Sequence, residues 1–475
     1  MPAGVAMSRA VGNRVSESAA ERDPAGWSSL FTASRIFLPL AWIFGTLFAL
    51  ITPPFQVPDE FQHFYRAYQV SEGRLTAYRQ NGEVGGDLPI SLKTFSERVW
   101  GNHPFDPSSK ADIRNVWAAR TIPLQSRTRD FFVFGNVSWH SPTNYFPQAA
   151  AIAVARRIGL GPMGIFYAGR LGNLFGWSLL VYFSLRLIPI LDWTILLLAL
   201  TPMSLAQAAS LSADATVNGV CFLFVAAAMR CAMMDGFIRK THLIGLTLCG
   251  AAVALAKTAY LPLTILFLLI PERRFSSRGR YWAAFASFML ICLATIAGWS
   301  LCTFGSESYS MTDVSPRRQL IYMLHHPFLM LHMEVGMLLA VPFISSIIGQ
   351  LGWHEIKLWF PLTAAYFGVV FWTTRIAGWP DRTMTMRQRI VLVAAAVGCW
   401  VAVFSLIYLT FTPVGGRSIN GLQGRYMIPA TGPFFLMFYP GPGRRRGNPG
   451  AFITAFAAGF SMYALLVLVR AFYIW

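Results

Sequence analysis

Residues 390–412 read IVLVAAAVGCWVAVFSLIYLTFT and contain no charged side chain. A helix needs about 20 apolar residues to cross the hydrocarbon core of a bilayer, so this stretch is long enough to span one. Similar apolar runs recur from Ile36 to the last residue, and the chain is 55% hydrophobic and only 13% charged. A soluble chain of 475 residues needs more charge to cover its surface. The sequence therefore predicts an integral membrane protein.

The apolar runs predict an all-α membrane fold with about eleven transmembrane helices and a large first extracytoplasmic loop. The predicted spans lie near residues 35–52, 168–188, 190–209, 214–234, 242–256, 258–270, 281–304, 357–374, 390–412, 426–440 and 450–474. Lys257 divides two short runs, 242–256 and 258–270, so we expect a tight hairpin there with its turn at the outer face. The first run is followed directly by Pro53 and Pro54 without a cleavage pattern, and it is predicted to be an uncleaved helix.

The basic residues set the predicted orientation. They cluster at 239–240, 273–280, 375–389 and 444–446. With the N-terminus inside, all four clusters lie on the cytoplasmic side, as the positive-inside rule requires. This holds only if segment 333–350, which contains Glu334 and Pro342, inserts partly instead of crossing. The C-terminus is then external.

These boundaries divide the chain into two predicted parts. A cytoplasmic tail, residues 1–34, precedes a single membrane domain, residues 35–475. The predicted extracytoplasmic loops of that domain are 52–168, 305–357 and 413–425. The first of them carries nine of the 21 acidic residues, more than any other loop.

The formal charge of +18 does not indicate nucleic-acid binding here. The positive side chains lie at the ends of apolar runs, where cytoplasmic loops carry them, and no stacking aromatic residues are interleaved with them. The six cysteines lie in or beside apolar runs without metal-ligand spacing. We therefore predict neither a disulfide framework nor a zinc site.

The first loop begins with the acidic segment PPFQVPDEFQHFYRAYQVSEGR, residues 53–74. Pro58 ends an extended stretch, and a helix is predicted to begin next to Asp59. At about 100° per residue, Asp59, His63 and Arg66 share one face. The opposite face is aromatic and carries Phe61, Phe64, Tyr65 and Tyr68. An aromatic face opposite a charged one is typical of a helix in the membrane interface, so the charged side is predicted to face a cavity above the bilayer.

Two interpretations of Asp59 and Glu60 follow from this pattern. The two carboxylates can cap the helix and stabilise its positive end, with His63 and Arg66 solvated. Alternatively, a carboxylate at a water–lipid boundary has a raised pKa and acts as a general base. A divalent cation with oxygen ligands could also bind there, although no motif requires one.

Four segments resemble a family of bacterial multi-pass membrane proteins of unknown function. They are PPFQVPDEFQHFYRAYQ (53–69), SLSADATVNG (210–219), ALAKTAYLPL (254–263) and LQGRYMIP (422–429). The family in turn resembles, in layout, the GT-C superfamily of membrane glycosyltransferases. That resemblance implies sugar transfer from a polyprenyl-phosphate donor outside the cytoplasm, with the catalytic acid in the first outer loop. Asp59 is the matching position.

A lipid phosphate needs cations near the outer interface, because a leaving phosphate in low dielectric must be neutralised. Lys257 and the residues Arg417, Gln423, Arg425 and Tyr426 of the glycine-rich stretch GGRSINGLQGRY are candidates. The alternative for each single cation is that it snorkels to the interface. Asp214 is expected to cap a helix, or to bind acceptor or sugar.

The function predicted from these features is a membrane glycosyltransferase of the bacterial inner (cytoplasmic) membrane, with an extracytoplasmic active site. Asp59 and Glu60 are the predicted catalytic residues. The predicted substrate-binding residues are His63, Arg66, Tyr145, Arg170, Asp214, Lys257, Arg417, Gln423, Arg425 and Tyr426. The expected partners are a polyprenyl-phosphate sugar donor, a lipid-linked or envelope glycan acceptor and membrane lipids. The alternatives are a transporter or flippase of a lipid-linked glycan, and a non-catalytic scaffold of an envelope-assembly complex.

Overall fold

The computed structural model describes residues 32–100, 110–305, 314–376, 383–441 and 449–474. Within these ranges the chain is mostly helical. Nearly all of the predicted N-terminal tail, residues 1–34, lies outside the described residues, as does the basic cluster 444–446. The prediction of a single membrane domain stays a prediction.

Nineteen α-helices are present in the described residues. They are α1 Ala33–Ile51, α2 Glu60–Ser71, α3 Ile90–Trp100, α4 Ile113–Ala118, α5 Gly135–Ser138, α6 Phe146–Arg157, α7 Pro162–Leu187, α8 Asp192–Ala199, α9 Pro202–Ala208, α10 Asp214–Met233, α11 Lys240–Ala256, α12 Arg278–Cys302, α13 Pro316–His325, α14 Pro327–Leu339, α15 Val341–Gly349, α16 Phe360–Ile376, α17 Met386–Phe411, α18 Ile428–Leu436 and α19 Gly450–Tyr473. The 3-10 helices are Ala119–Thr121, Pro142–Tyr145, Thr258–Leu269, Glu272–Arg274 and Gly424–Met427. The strands are β1 Tyr78–Gln80, β2 Glu83–Pro89, β3 Arg129–Val133, β4 Gln350–Leu351 and β5 Ile356–Lys357.

Five of the described helices, α1, α10, α12, α17 and α19, are long and apolar enough to cross a membrane by themselves. Each corresponds to one of the eleven predicted spans, and the count of eleven stays a prediction. The predicted continuous helix 190–209 is wrong, because the chain breaks into α8 and α9. Pro202 opens α9, and the Thr201 hydroxyl caps it by accepting a hydrogen bond from the Ser204 amide, so a new helix begins inside the apolar run.

The segment predicted to insert partly, 333–350, also departs from a straight span. It lies in α14 and α15, whose axes differ by 60°. Glu334 on α14 is buried and accepts a hydrogen bond from the Ser405 hydroxyl of α17 (3.3 Å). Further along the chain, Lys257 separates α11 from the 3-10 helix Thr258–Leu269 in an extended conformation, so the predicted break at this lysine is confirmed.

The first loop contains a small sheet that the all-α prediction missed. Strands β1, β2 and β3 pair antiparallel in that order, with Gly85 opposite both Tyr78 and Val133. The aromatic side chains of α2 pack into a core between this sheet, α3 and α7, together with Phe55, Phe95 and Phe166. The prediction that these side chains lie in the lipid interface is therefore wrong, since the sheet supplies a protein surface that covers them.

The C-terminal ends of α1 and α19 meet at one face of the molecule. The Tyr473 hydroxyl donates to the Ile51 carbonyl over 2.9 Å. Lys110 and Ala111, in the first loop, donate to the carbonyls of Ala471 (2.9 Å) and Phe472 (2.8 Å) at the end of α19. The first loop and the end of α19 therefore lie on the same side of the helical bundle.

Candidate functional site

Asp59 directly precedes α2 with a left-handed backbone (φ 59°), and its side chain makes no capping hydrogen bond to the helix. A non-glycine residue in this region costs about 1 kcal/mol or more. The carboxylate instead accepts a hydrogen bond from the Asn136 side chain. The capping interpretation of Asp59 is therefore wrong, because its carboxylate is directed to a neighbouring segment.

Glu60 has a different environment from Asp59. Both of its oxygens are bound by Arg170, from Nε (2.9 Å) and Nη2 (2.7 Å), and both side chains are fully buried. Glu60 also accepts from the amides of Phe55 (2.9 Å) and Leu211 (3.2 Å). Arg170 donates in addition to the carbonyls at the end of α1, Ala49, Thr52 and Pro53. This ion pair joins α1, α2, α7 and the segment before α10.

A second ionic group forms around Asp214, the first residue of α10. Its carboxylate is 2.5 Å from Lys257 Nζ through one oxygen and 3.3 Å from Arg425 Nε through the other. All three side chains are largely buried, with exposed fractions of 9%, 14% and 3%. Asp214 is thus held between two cations, one from the break after α11 and one from the glycine-rich loop.

The aromatic ring of Tyr426 completes this ionic group. Lys257 Nζ lies 4.8 Å from the ring centroid and the Arg425 guanidinium 5.2 Å from it, within the range of cation–π attraction. The Tyr260 hydroxyl fixes the segment by donating to the Tyr426 carbonyl (3.0 Å). Even so, Nη1 of the buried Arg425 has no hydrogen-bond partner among the described residues. We call Asp214, Lys257, Arg425 and Tyr426 the ionic cluster.

Close packing holds the glycine-rich loop in place. A Cβ atom on Gly424 would lie 2.2 Å from the Ser346 hydroxyl and 2.5 Å from the Ile347 amide nitrogen. Only glycine allows the loop to approach α15 this closely. The second predicted loop therefore positions Arg425.

Asp59 belongs electrostatically to the ionic cluster. Burial raises the pKa of Asp59, while the positive charges of Arg425 and Lys257 act against this rise. The negative charge of Asp214 adds to it. Asp59 is therefore a carboxylate of increased basicity within the field of two cations.

His63 and Tyr145 form a neutral group next to these charges. The Tyr145 hydroxyl lies 2.8 Å from His63 Nδ1 and 3.3 Å from His140 Nδ1. Burial lowers the pKa of His63 to about 3 and lowers the pKa of His140 well below its usual value. Both imidazoles are thus neutral near pH 7. The charges of Asp214, Arg425 and Lys257 act on His63, which places this group beside the ionic cluster.

The other predicted residues have different positions. Arg66 is fully buried and donates to the side chain of Gln69 and to the carbonyls of Leu75 (2.6 Å) and His140 (3.4 Å), so it supports the segment around His140. Gln423 has a buried Oε1 without a partner among the described residues. Arg417 is exposed and has no described hydrogen bond or ion pair within the site, so the structure does not bring it to the ionic cluster.

Sequence reasoning missed three residues of the site. Asn136 binds Asp59, His140 binds Tyr145, and Asn144 donates to the Ala256 carbonyl (2.8 Å) next to Lys257. His140 and Asn144 lie within five residues of Tyr145, so a search for polar side chains around the predicted Tyr145 would have found them. Nothing in the sequence distinguishes Asn136.

The described residues contain no group of three or more His, Cys, Asp or Glu side chains that could hold a metal ion. Glu60 is already bound by Arg170 and two amides through both oxygens.

No curated protein matches the sequence. Among solved structures, the chain resembles ArnT from Cupriavidus metallidurans in the apo state, with a TM-score of 0.42 and 15% sequence identity. The similarity covers 87% of this chain and 59% of the ArnT chain, so this chain spans less than two thirds of that protein. A similarity of this degree does not establish a shared activity.

The model of one protein family covers most of the sequence. It is described as "Predicted membrane protein (DUF2142)" and matches residues 42–432. The match includes all four motifs noted in the sequence and confirms their resemblance to a membrane protein family of unknown function. The chain therefore belongs to the DUF2142 family of membrane proteins.

Proposed function

We propose that this protein is a membrane glycosyltransferase. It moves a sugar from a polyprenyl-phosphate donor to a hydroxyl of a lipid-linked or envelope glycan acceptor at the outer face of the bacterial inner membrane. One observation carries the proposal: the half-buried carboxylate of Asp59, whose pKa is raised, lies in the electrostatic field of the cations Lys257 and Arg425.

The carboxylate suits the role of general base. Asp59 has no capping bond to its own helix, and its only described side-chain partner is the neutral Asn136. Its raised pKa brings it closer to neutral pH, where a carboxylate accepts a proton more readily. Its left-handed backbone is the kind of strain that persists at functional sites.

The two cations of the ionic cluster, Lys257 and Arg425, are suited to bind a phosphate. Asp214 neutralises one of the two positive charges, so the ionic cluster keeps about one positive charge for an anion. Nη1 of Arg425 is buried without a partner among the described residues, and an unpaired buried donor is costly unless a ligand accepts from it. A guanidinium and an ammonium together bind phosphate oxygens well.

The reaction follows from these roles. Asp59 removes the proton of the acceptor hydroxyl as its oxygen attacks the anomeric carbon of the donor sugar. The bond between that carbon and the phosphate oxygen breaks, and its electron pair leaves on the polyprenyl phosphate. Lys257 and Arg425 stabilise the charge that develops on the phosphate. The proton stays on Asp59 until water removes it, and the anomeric configuration inverts.

Mass spectrometry of envelope glycans tests the proposal. Cells that lack the gene are complemented with the wild type, Asp59→Asn or Asp130→Asn. Asp130 lies in the same loop and is half exposed, so its variant is the matched control. We expect the wild type and Asp130→Asn to restore a sugar that Asp59→Asn does not restore, at equal protein levels. Full restoration by Asp59→Asn would show that Asp59 is not the base.

A further inference from the structure

The hydroxyl of Tyr145 determines where the protons of two imidazoles lie. Tyr145 is fully buried, and His63 and His140 are the only described partners of its hydroxyl. A tyrosine hydroxyl has one proton to donate, and a buried donor without an acceptor is rare. The proton therefore points to one of the two Nδ1 atoms.

The two imidazoles must then differ. The ring that receives the Tyr145 proton has an unprotonated Nδ1 and, being neutral, carries its proton on Nε2. The other ring must donate Nδ1–H to the tyrosine oxygen, because two lone pairs facing each other repel. Its Nε2 is therefore unprotonated. One Nε2 is a hydrogen-bond donor and the other an acceptor.

Neither Nε2 atom has a hydrogen-bond partner among the described residues, although each side chain keeps a small exposed fraction, 4% for His63 and 7% for His140. The two rings are inclined to each other by 27°, with centroids 6.1 Å apart. The two free nitrogens together can donate one hydrogen bond and accept one.

Two buried amide side chains also have unused hydrogen-bonding atoms. Gln148 Oε1 and Asn218 Nδ2 are buried without a partner among the described residues. Gln148 lies one helical turn after Tyr145, and Asn218 one turn after Asp214. Both amides are uncharged and follow a residue of the site on the same helical segment: Gln148 follows Tyr145, whose hydroxyl contacts both imidazoles, and Asn218 follows Asp214, whose charge acts on His63.

We propose that His63, His140, Gln148 and Asn218 form a subsite for the hydroxyl groups of an uncharged sugar. This inference rests on the proposed function and names the substrate class of the same site. Each sugar hydroxyl can donate and accept, as the mixed set of donors and acceptors requires. The four side chains offer no counterion for a carboxylate or an amine, and the low pKa of His63 keeps its ring from supplying one. The ionic cluster binds the phosphate, and the neutral subsite binds the sugar.

Binding of defined lipids to the purified full-length protein tests this proposal. The probes are undecaprenyl phosphate and its esters with glucose, glucuronic acid and glucosamine, with affinities measured by native mass spectrometry. We expect the glucose ester to bind about tenfold more tightly than the bare lipid phosphate, which corresponds to two or three added hydrogen bonds. The charged esters should show no such gain.

The outcomes separate the two proposals. Failure of undecaprenyl phosphate to bind overturns the proposed function and this inference with it. Binding of the lipid phosphate with no gain from glucose overturns the neutral subsite alone. An equal gain from glucuronic acid or glucosamine overturns the claim that the sugar is uncharged.

Variants assign the gain to the imidazoles. His140→Asn keeps a polar atom close to where Nδ1 contacts Tyr145 but removes Nε2. We expect it to bind the bare lipid phosphate normally and to lose the glucose gain. His332→Asn changes an exposed histidine and should change neither affinity. An unchanged glucose gain in His140→Asn would contradict the assignment.

The tautomers themselves are visible by NMR of protein labelled with nitrogen-15 in histidine. The His63 and His140 signals, assigned with His63→Asn and His140→Asn, should show Nδ1–H in one ring and Nε2–H in the other. A purely structural contact does not require this asymmetry. Finding the same tautomer in both rings of the wild type overturns the proposal.

Discussion

Two adjacent carboxylates, Asp59 and Glu60, illustrate how strongly surroundings determine the role of a residue. Glu60 is enclosed by Arg170 and backbone amides, whereas Asp59 receives one described bond from a neutral side chain.

If Asp59 is the base, transfer requires its ionised form. Because its pKa is raised, protonation sets in at a higher pH than for an ordinary carboxyl. We expect initial rates of the purified enzyme to fall with acidification well above pH of about 3.9. A rate that stays flat down to that pH contradicts the assignment.

The buried pair of Glu60 and Arg170 predicts a stability effect. Glu60→Gln removes the negative charge and leaves a fully buried guanidinium without a counterion. Such a change costs about 3–5 kcal/mol, so the melting temperature of the purified variant should fall markedly. Asp130→Asn, which changes an exposed residue of the same loop, serves as the control. A Glu60→Gln protein that melts like the wild type but is inactive would favour the catalytic role predicted from the sequence.

The residues that carry charge in the site could be found from the sequence. Each of the four lies at the edge of an apolar run, where a charged side chain is costly unless it has a partner or a function. They are Asp59, Asp214, Lys257 and Arg425. The pairing of Glu60 with Arg170 could not be predicted, because it joins residues 110 positions apart. The role of Asn136 could not be predicted for the same reason, because its contact with Asp59 depends on the fold of the first loop.

At the scale of secondary structure, the contact between α15 and the 3-10 helix Gly424–Met427 sets the position of Arg425. Gly424→Ala would place a methyl group 2.5 Å from the Ile347 amide nitrogen, and backbone cannot yield as a flexible side chain does. We expect a lower melting temperature and loss of undecaprenyl phosphate binding. Gly336→Ala on α14 meets no atom within 4 Å and should leave both unchanged. Normal binding by Gly424→Ala would show that Arg425 does not depend on this contact.

The length of the apolar runs located the long helices but did not reveal features that depend on a few residues. Strand β2, EVGGDLP, contains two glycines and a proline, residues that are depleted in strands, so it was missed. Pro202 and the Thr201 cap divide 190–209 because local hydrogen bonding can end a helix inside an apolar run. Such signals involve only a few residues, so they do not change the mean hydropathy of a whole predicted span.

At the scale of the whole molecule, the shared face of the first loop and the end of α19 predicts a labelling pattern. In a variant without its native cysteines, Asp112→Cys and Ile474→Cys, two exposed positions, should react with an impermeant thiol reagent from the same side of the membrane. Ser277→Cys, at the start of α12 among basic residues, should react only after the membrane is permeabilised. Labelling of the first two sites from opposite sides would contradict the bonds from Lys110 and Ala111 to the end of α19.

The bonds from Lys110 and Ala111 to the end of α19 have a consequence for biosynthesis. The ribosome makes these two residues more than 350 positions before their partners Ala471 and Phe472. These two bonds can therefore form only after α19 has been synthesised. Closure of this part of the protein is a late event, and nascent chains stalled before α19 should remain sensitive to protease near residue 110.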